Sequence, residues 1–145
     1  MKNLLLIGLT ALAFAGCSKS EDAKPATPSL VGTWTQTSQT IVVTPKNGGA
    51  ATTYTQTVVP NTITMTYATD GTYTRVQDKS VSPTGTTTTS GGTYTYSGNT
   101  ITYSAIGKTS TARVDVLTAN NLTHMAATED VAGTQVNVTT NTYTR

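Results

Sequence analysis

Side chains that commonly carry chemistry are few in this chain of 145 residues, and they form no recognisable catalytic or metal-binding pattern. His124 is the only histidine, so no histidine cluster is available for zinc. The acidic pair Glu129–Asp130 offers fewer oxygens than the roughly six to eight that calcium takes. No Gly-x-Ser-x-Gly motif accompanies the many serines and threonines. We therefore expect a protein that is not an enzyme and that binds no metal or cofactor.

The only cysteine, Cys17, follows a segment that is typical of an exported protein. Residues 4–15 form an apolar stretch behind a short positive start, and it is shorter than the roughly 20 residues that span a bilayer. The stretch ends in "FAGC" (residues 14–17), which resembles the lipobox of bacterial lipoproteins with Phe14 where leucine is usual. The resemblance implies cleavage before Cys17 and acylation of its thiol by a diacylglyceryl group, often with a further chain such as palmitate.

We accordingly expect a signal peptide over residues 1–16, and a lipidated Cys17 with a flexible tether over residues 17–29. Two or more acyl chains hold a protein stably at a membrane, at ~0.8 kcal/mol per buried methylene. The alternative, a plain secretory signal, would leave a reactive unpaired thiol outside the cell. We expect the protein in the cell envelope, at the outer membrane of a Gram-negative bacterium. The pair Glu21–Asp22 resembles a signal for that membrane's outer face, or belongs to a solvated linker.

Beyond the tether, the sequence predicts an all-β domain. Charged residues make up only 11% of the chain and the net charge is +2, so no basic surface for nucleic acid is expected. Apolar residues alternate with threonine in residues 61–68, 92–105, 111–116 and 134–144, a period of two that indicates strands with one buried face. Turn residues such as "TDGT" (69–72) and "SGN" (97–99) separate them. The pattern predicts eight or nine antiparallel strands, closed as a barrel or stacked as a sandwich.

The start of the domain favours the barrel. "LVGTW" (residues 30–34) resembles the Gly-x-Trp opening of the lipocalins, and the hairpins behind it resemble those of lipocalin-like domains in bacterial lipoproteins. The resemblance covers residues 30–145 and implies a single small up-and-down barrel of about eight strands. It also implies that Gly32 and Trp34 plug the closed end, with an arginine near the last strand as partner, for which Arg145 is the candidate.

The interior of such a barrel is either a filled core or a cavity for one small ligand. The side chains expected inside are largely apolar or aromatic: Trp34, Ile63, Met65, Tyr67, Tyr73, Tyr94, Tyr96, Ile101, Tyr103, Val114, Val116, Leu122, Val136 and Val138. Five of them are tyrosines (Tyr67, Tyr73, Tyr94, Tyr96 and Tyr103), and a tyrosine-lined cavity suits a small hydrophobic or amphipathic molecule.

Two functions therefore remain open for this domain. One is a monomeric, membrane-anchored binding protein that takes a small hydrophobic or amphipathic ligand at the cell envelope. The other is a structural or interaction protein, whose filled barrel presents a threonine-rich face to a partner or a polysaccharide.

Overall fold

The computed structural model describes residues 28–58, 62–80, 82 and 84–145. The predicted signal peptide, Cys17 and nearly all of the predicted tether lie outside these residues, so the statements about them stay predictions. Every regular element in the described ranges is a β-strand. None of the described residues forms a helix of the length and apolarity needed to cross a membrane.

The described residues form one antiparallel sheet of nine strands, and the sheet closes because the first strand pairs with the last. In chain order the strands are β1 (Gly32–Pro45), β2 (Thr52–Thr57), β3 (Ile63–Tyr67), β4 (Thr72–Gln77), β5 (Thr88–Ser97), β6 (Thr100–Ala105), β7 (Lys108–Leu117), β8 (Asn121–Glu129) and β9 (Gln135–Thr144).

Strand β1 is long enough to serve two neighbours along one edge. Its first residues, 32–35, pair with β3, and residues 38–43 pair with β2. Its other edge is taken by β9 over residues 35–45. The closed ring therefore has eight strands, and β2 extends the sheet beside the second half of β1. This arrangement confirms the predicted all-β barrel of eight or nine antiparallel strands.

The hairpins follow local turn chemistry. In the β3–β4 turn the Asp70 carboxylate accepts bonds from the backbone N–H and the hydroxyl of Thr72, at 2.9 and 2.7 Å. These hydrogen bonds lower the pKa of Asp70. Gly98 enters the β5–β6 turn with a φ of 58°, which glycine adopts at little cost. The β6–β7 turn is less expected, because Ile106 has a φ of 49° although β-branched residues rarely adopt positive values.

The alternating pattern of β9 identifies the strand but not the face that points inward. Val136 and Val138 were expected inside, yet Tyr143 is the buried residue of this strand. The pairing of β9 with β8 runs without a shift from residue 144 to residue 136. Side chains two residues apart share a face, so the even-numbered valines lie on the outer face and the expectation for them is wrong.

A β-bulge changes the inward face within β7. Ala112 and Val114 are buried, but the register with β8 shifts between Val114 and Val116. After the shift Val116 is exposed and Leu117 packs against the core. The expectation that Val116 lies inside is therefore wrong, because a bulge inserts one extra residue and reverses the alternation.

Candidate functional site

One end of the barrel is closed by Trp34, which is completely buried. Its indole N–H donates a hydrogen bond of 2.8 Å to the carbonyl oxygen of Leu30. The guanidinium carbon of Arg145 lies 4.1 Å from the centroid of the indole ring, in cation–π geometry. Arg145 also donates hydrogen bonds to the carbonyl oxygens of Ser29, Val31 and Ala119, which fixes the last residue of the chain over the plug.

Gly32 provides the space that Arg145 occupies. A side-chain carbon at this position would lie 2.8 Å from a terminal nitrogen of Arg145. Gly32 also has a φ of 134°, which residues with side chains rarely adopt. The spacing of Gly32 and Trp34 therefore has a steric reason, since the glycine admits the arginine that covers the tryptophan.

Four of the five predicted tyrosines meet in the middle of the barrel. The rings of Tyr67 and Tyr94 lie 5.0 Å apart, edge to face, as do those of Tyr73 and Tyr103. The hydroxyls of Tyr67 and Tyr103 share a hydrogen bond of 2.5 Å, and the Tyr94 hydroxyl donates to the carbonyl oxygen of Ala68. Burial raises the pKa of Tyr103 to about 12 and that of Tyr67 still higher. The phenols of Tyr67 and Tyr103 are therefore neutral at physiological pH.

The fifth predicted tyrosine, Tyr96, does not join this cluster. It is 37% exposed and lines two concavities, of about 460 and 390 Å³, that share Pro28. Tyr94 borders the larger of them. The expectation that Tyr96 lines an internal cavity is therefore not met. Tyr96 lies at the end of β5, beside Pro28, which precedes the first strand.

A cavity of about 260 Å³ that is open to solvent lies on the other side of the tyrosine cluster. Seven of the eight barrel strands, β3 to β9, contribute to its wall. Tyr73 and Tyr103 line it together with Met65, Arg75, His124 and Tyr143. The cavity lies just below the ~300–1,000 Å³ range of small-molecule sites, so its size suits a ligand smaller than a typical drug.

The pairing of β7 with β8 ends where this cavity begins. Among the described residues the register joins residues 113–117 of β7 to residues 122–125 of β8. Residues 108–113 of β7 pair with β6, and residues 121–129 of β8 pair with β9. Residues 110–112 and Ala126, which border this separation, line the cavity. Residues 108–112 of β7 and residues 126–129 of β8 are therefore not paired with each other at this part of the cavity wall.

His124 is the least satisfied polar group of the cavity wall. It is only 5% exposed, and neither ring nitrogen has a hydrogen-bond partner among the described residues. Its ring stacks on Tyr143 with centroids 5.2 Å apart. Burial lowers the pKa of His124 to about 4, so at neutral pH the ring offers one donor and one acceptor.

Arg75 brings a positive charge to the same cavity. It stands opposite Met65 in the register and is half-buried. It donates a hydrogen bond of 3.0 Å to the side-chain oxygen of Gln77. A smaller cavity of about 160 Å³ shares Arg75 and contains Gln36 and Gln39, whose amides both donate to the side-chain oxygen of Asn141. The lumen is therefore polar on this side.

The sequence reasoning did not identify His124, Arg75 or Asn141 as lumen residues. Their positions carry a usable signal, because each stands two residues from a buried or half-buried neighbour: Leu122, Tyr73 and Tyr143 respectively. Because these three side chains are polar, they were not assigned to the inward face of their strands. The described residues contain no group of three His, Cys, Asp or Glu side chains that would hold a metal ion.

The geometry defines a small antiparallel barrel that is plugged at one end and hollow towards the other. The model of the lipocalin-like domain matches residues 30–124, about two thirds of the chain. The chain therefore belongs to the lipocalin-like domain family. No curated protein matches the sequence.

Proposed function

We propose that the barrel binds one small amphipathic molecule in the cavity beside the tyrosine cluster, without catalysing a reaction. The observation that carries this proposal is His124, whose two ring nitrogens are buried in the wall of a cavity of about 260 Å³ and have no partner in the described part of the chain. Leaving a buried polar group unpaired costs about 1–3 kcal/mol. A ligand that hydrogen-bonds the imidazole and packs on the Tyr73 and Tyr103 rings removes this cost.

We also propose that the protein binds its ligand at the cell envelope. A lipid anchor on Cys17 would hold the monomeric barrel at the cell envelope, at the outer membrane of a Gram-negative bacterium. The supporting feature is the "FAGC" sequence behind an apolar segment. Replacing Cys17 with serine should move the protein from the membrane fraction to the soluble fraction and change its processed mass. Retention of the variant in the membrane with the parent's mass would refute the anchor.

Filling the cavity tests the binding function directly. The full chain carrying Cys17→Ser, which removes the expected acylation, is titrated with 2-naphthol in a calorimeter, and we expect one site per chain. Ala126 lines the cavity, so Ala126→Leu in the same background should weaken binding about tenfold or more, equivalent to ~1.4 kcal/mol. Ala127 is exposed on the opposite face of the strand, and Ala127→Leu serves as the matched control.

The filled-barrel alternative has an observation in its favour as well. Trp34, Ile101 and Leu122 are completely buried, so part of the barrel is a packed core. If the barrel acts only as a scaffold for its threonine-rich surface, the parent shows no saturable binding. Equal binding by the Ala126→Leu and Ala127→Leu variants would also place any site outside the cavity and refute the proposal.

A further inference from the structure

The polar side of the lumen has a net positive charge among the described residues. Arg75 lines the cavity, and His124 beside it is neutral at physiological pH because burial lowers its pKa. Five acidic residues fall in the described ranges, and none of them lines the cavity: Asp70, Asp78, Asp115, Glu129 and Asp130. The positive charge of Arg75 is therefore not balanced within the cavity.

The described acidic residues are all engaged elsewhere. Asp115 pairs with Arg113 and Glu129 pairs with Lys46, each at 2.8 Å. Asp70, Asp78 and Asp130 accept hydrogen bonds from backbone N–H groups of their own turns. Arg75 has only the neutral amide oxygen of Gln77 as its hydrogen-bond acceptor among the described residues. A guanidinium carries five N–H donors in a planar fork, so most of them are not bonded to the described residues.

A half-buried cation without a counter-ion is costly, and an anion that enters the same space removes this cost. The guanidinium fork matches a carboxylate, with which it forms two parallel hydrogen bonds. Met65 and the rings of Tyr73 and Tyr103 provide apolar walls in the same cavity, with Met65 next to Arg75 across the β3–β4 pairing. A compact molecule with one ring system and one acid group fits both parts of this lining.

We propose that Arg75 selects a small aromatic or alicyclic carboxylic acid as the ligand of the barrel. This inference rests on the proposed binding function and adds the chemical class of the ligand to it. Arg75 binds the carboxylate, the tyrosine rings contact the ring system, and the imidazole of His124 hydrogen-bonds a further polar substituent.

Two matched probes test the selection by charge. The acid 2-naphthoate and its amide, 2-naphthamide, have nearly the same shape but differ in charge at pH 7. In the full chain carrying Cys17→Ser, naphthoate should bind at least about tenfold more tightly than naphthamide, since a hydrogen bond to a charged group contributes that much or more. The advantage should shrink as the salt concentration rises.

Charge removal at Arg75 should abolish the preference. Arg75→Gln should weaken naphthoate binding about 10- to 100-fold and leave naphthamide binding within about threefold of the parent. Arg113→Gln makes the same chemical change at an exposed arginine and should leave both affinities unchanged. Arg75→Lys keeps the charge but loses the fork, so it should give an intermediate preference.

The outcomes separate this inference from the function on which it rests. If 2-naphthol and naphthamide bind but naphthoate binds no better, the carboxylate selection is wrong and the binding function stands. The same conclusion follows if Arg75→Gln weakens both probes equally, or if Arg113→Gln weakens naphthoate as much as Arg75→Gln does. If none of the three probes binds the parent, the binding function itself fails. The comparison of probes on the parent decides the matter even if Arg75→Gln does not fold.

Discussion

The closed end and the hollow half of this barrel differ in how completely their buried polar groups are hydrogen-bonded. At the closed end the indole N–H of Trp34 is hydrogen-bonded and Arg145 satisfies three carbonyl oxygens. In the hollow half, His124 is also buried but has no hydrogen-bond partner among the described residues, and Arg75 donates to a neutral amide oxygen. Unpaired buried polar groups reduce stability. The comparison indicates that the closed end stabilises the fold, whereas the hollow half retains unused hydrogen-bonding groups.

Deleting the plug should produce the largest effect. Trp34→Ala removes a completely buried ring together with its hydrogen bond and its contact with Arg145, and we expect a loss of about 3–5 kcal/mol in the free energy of unfolding. Urea unfolding monitored by far-ultraviolet circular dichroism measures the change. A loss below about 1 kcal/mol, the range of ordinary surface substitutions and mild core changes, would contradict the assignment of the closed end as the stabilising half.

Acidification should lower the stability of the fold, because His124 is buried in the hollow half. The pKa of His124 is about 4 in the folded protein against an ordinary value of 6.5, so between these values the unfolded chain binds a proton that the folded barrel does not. Stability therefore falls as the pH decreases through this window, by ~3 kcal/mol when it has been crossed. Above pH 6.5 the contribution is constant. Denaturant unfolding at several pH values from 7.5 to 4 measures the slope.

The His124→Gln variant is the control for this pH dependence, because its side chain does not titrate. It should show a much flatter stability profile between pH 6.5 and pH 4. Turn hydrogen bonds lower the pKa values of Asp70, Asp78 and Asp130, so these carboxylates also reduce stability below about pH 5, but they do so equally in the parent and the variant. Equal slopes for the parent and the variant would show that another group causes the effect.

A smaller effect should come from the glycine that admits Arg145. Gly32→Ala places a methyl group against the guanidinium and forces a side chain into a φ of 134°, which should cost about 1–3 kcal/mol. Gly48 also has a positive φ, of 83°, but nothing lies within 4 Å of a side-chain carbon there. Gly48→Ala is therefore the control for backbone strain alone. If thermal melting shows equal losses for both variants, the steric role of Gly32 is wrong.

The smallest effect should distinguish the inner tyrosines from the outer one. Tyr67→Phe removes a buried hydroxyl that is bonded to Tyr103 and should cost about 1–2 kcal/mol, since it leaves the partner hydroxyl unsatisfied. Tyr96→Phe alters an exposed ring and should change stability by less than about 0.5 kcal/mol. Chemical denaturation of the two variants provides the comparison, and a reversed order would contradict the described packing.

The strands and several hairpins could be predicted because their causes are local. Apolar or aromatic residues alternate with threonine along several strands, and Asp70 and Gly98 provide the hydrogen bond and the positive φ that their own turns require. The inward phase of β9 was mispredicted because alternation has two equivalent phases. Only the neighbouring strands decide between Tyr143 and Val138, and Asn141 was overlooked for the same reason. His124 was overlooked because it is polar, although its neighbour Leu122 was correctly placed inside.

The sequence by itself determined the all-β class, the approximate number of strands and the Gly-x-Trp start of the barrel, since these depend on residues close together in the chain. The tertiary structure decided which tyrosines meet, that Arg145 covers Trp34 from 111 positions away, and that Arg75 and His124 share a cavity. Such contacts depend on strand register, on the bulge in β7 and on the closure of β1 against β9. Closure brings distant residues together in space, and no pattern within a single strand encodes the distance between them.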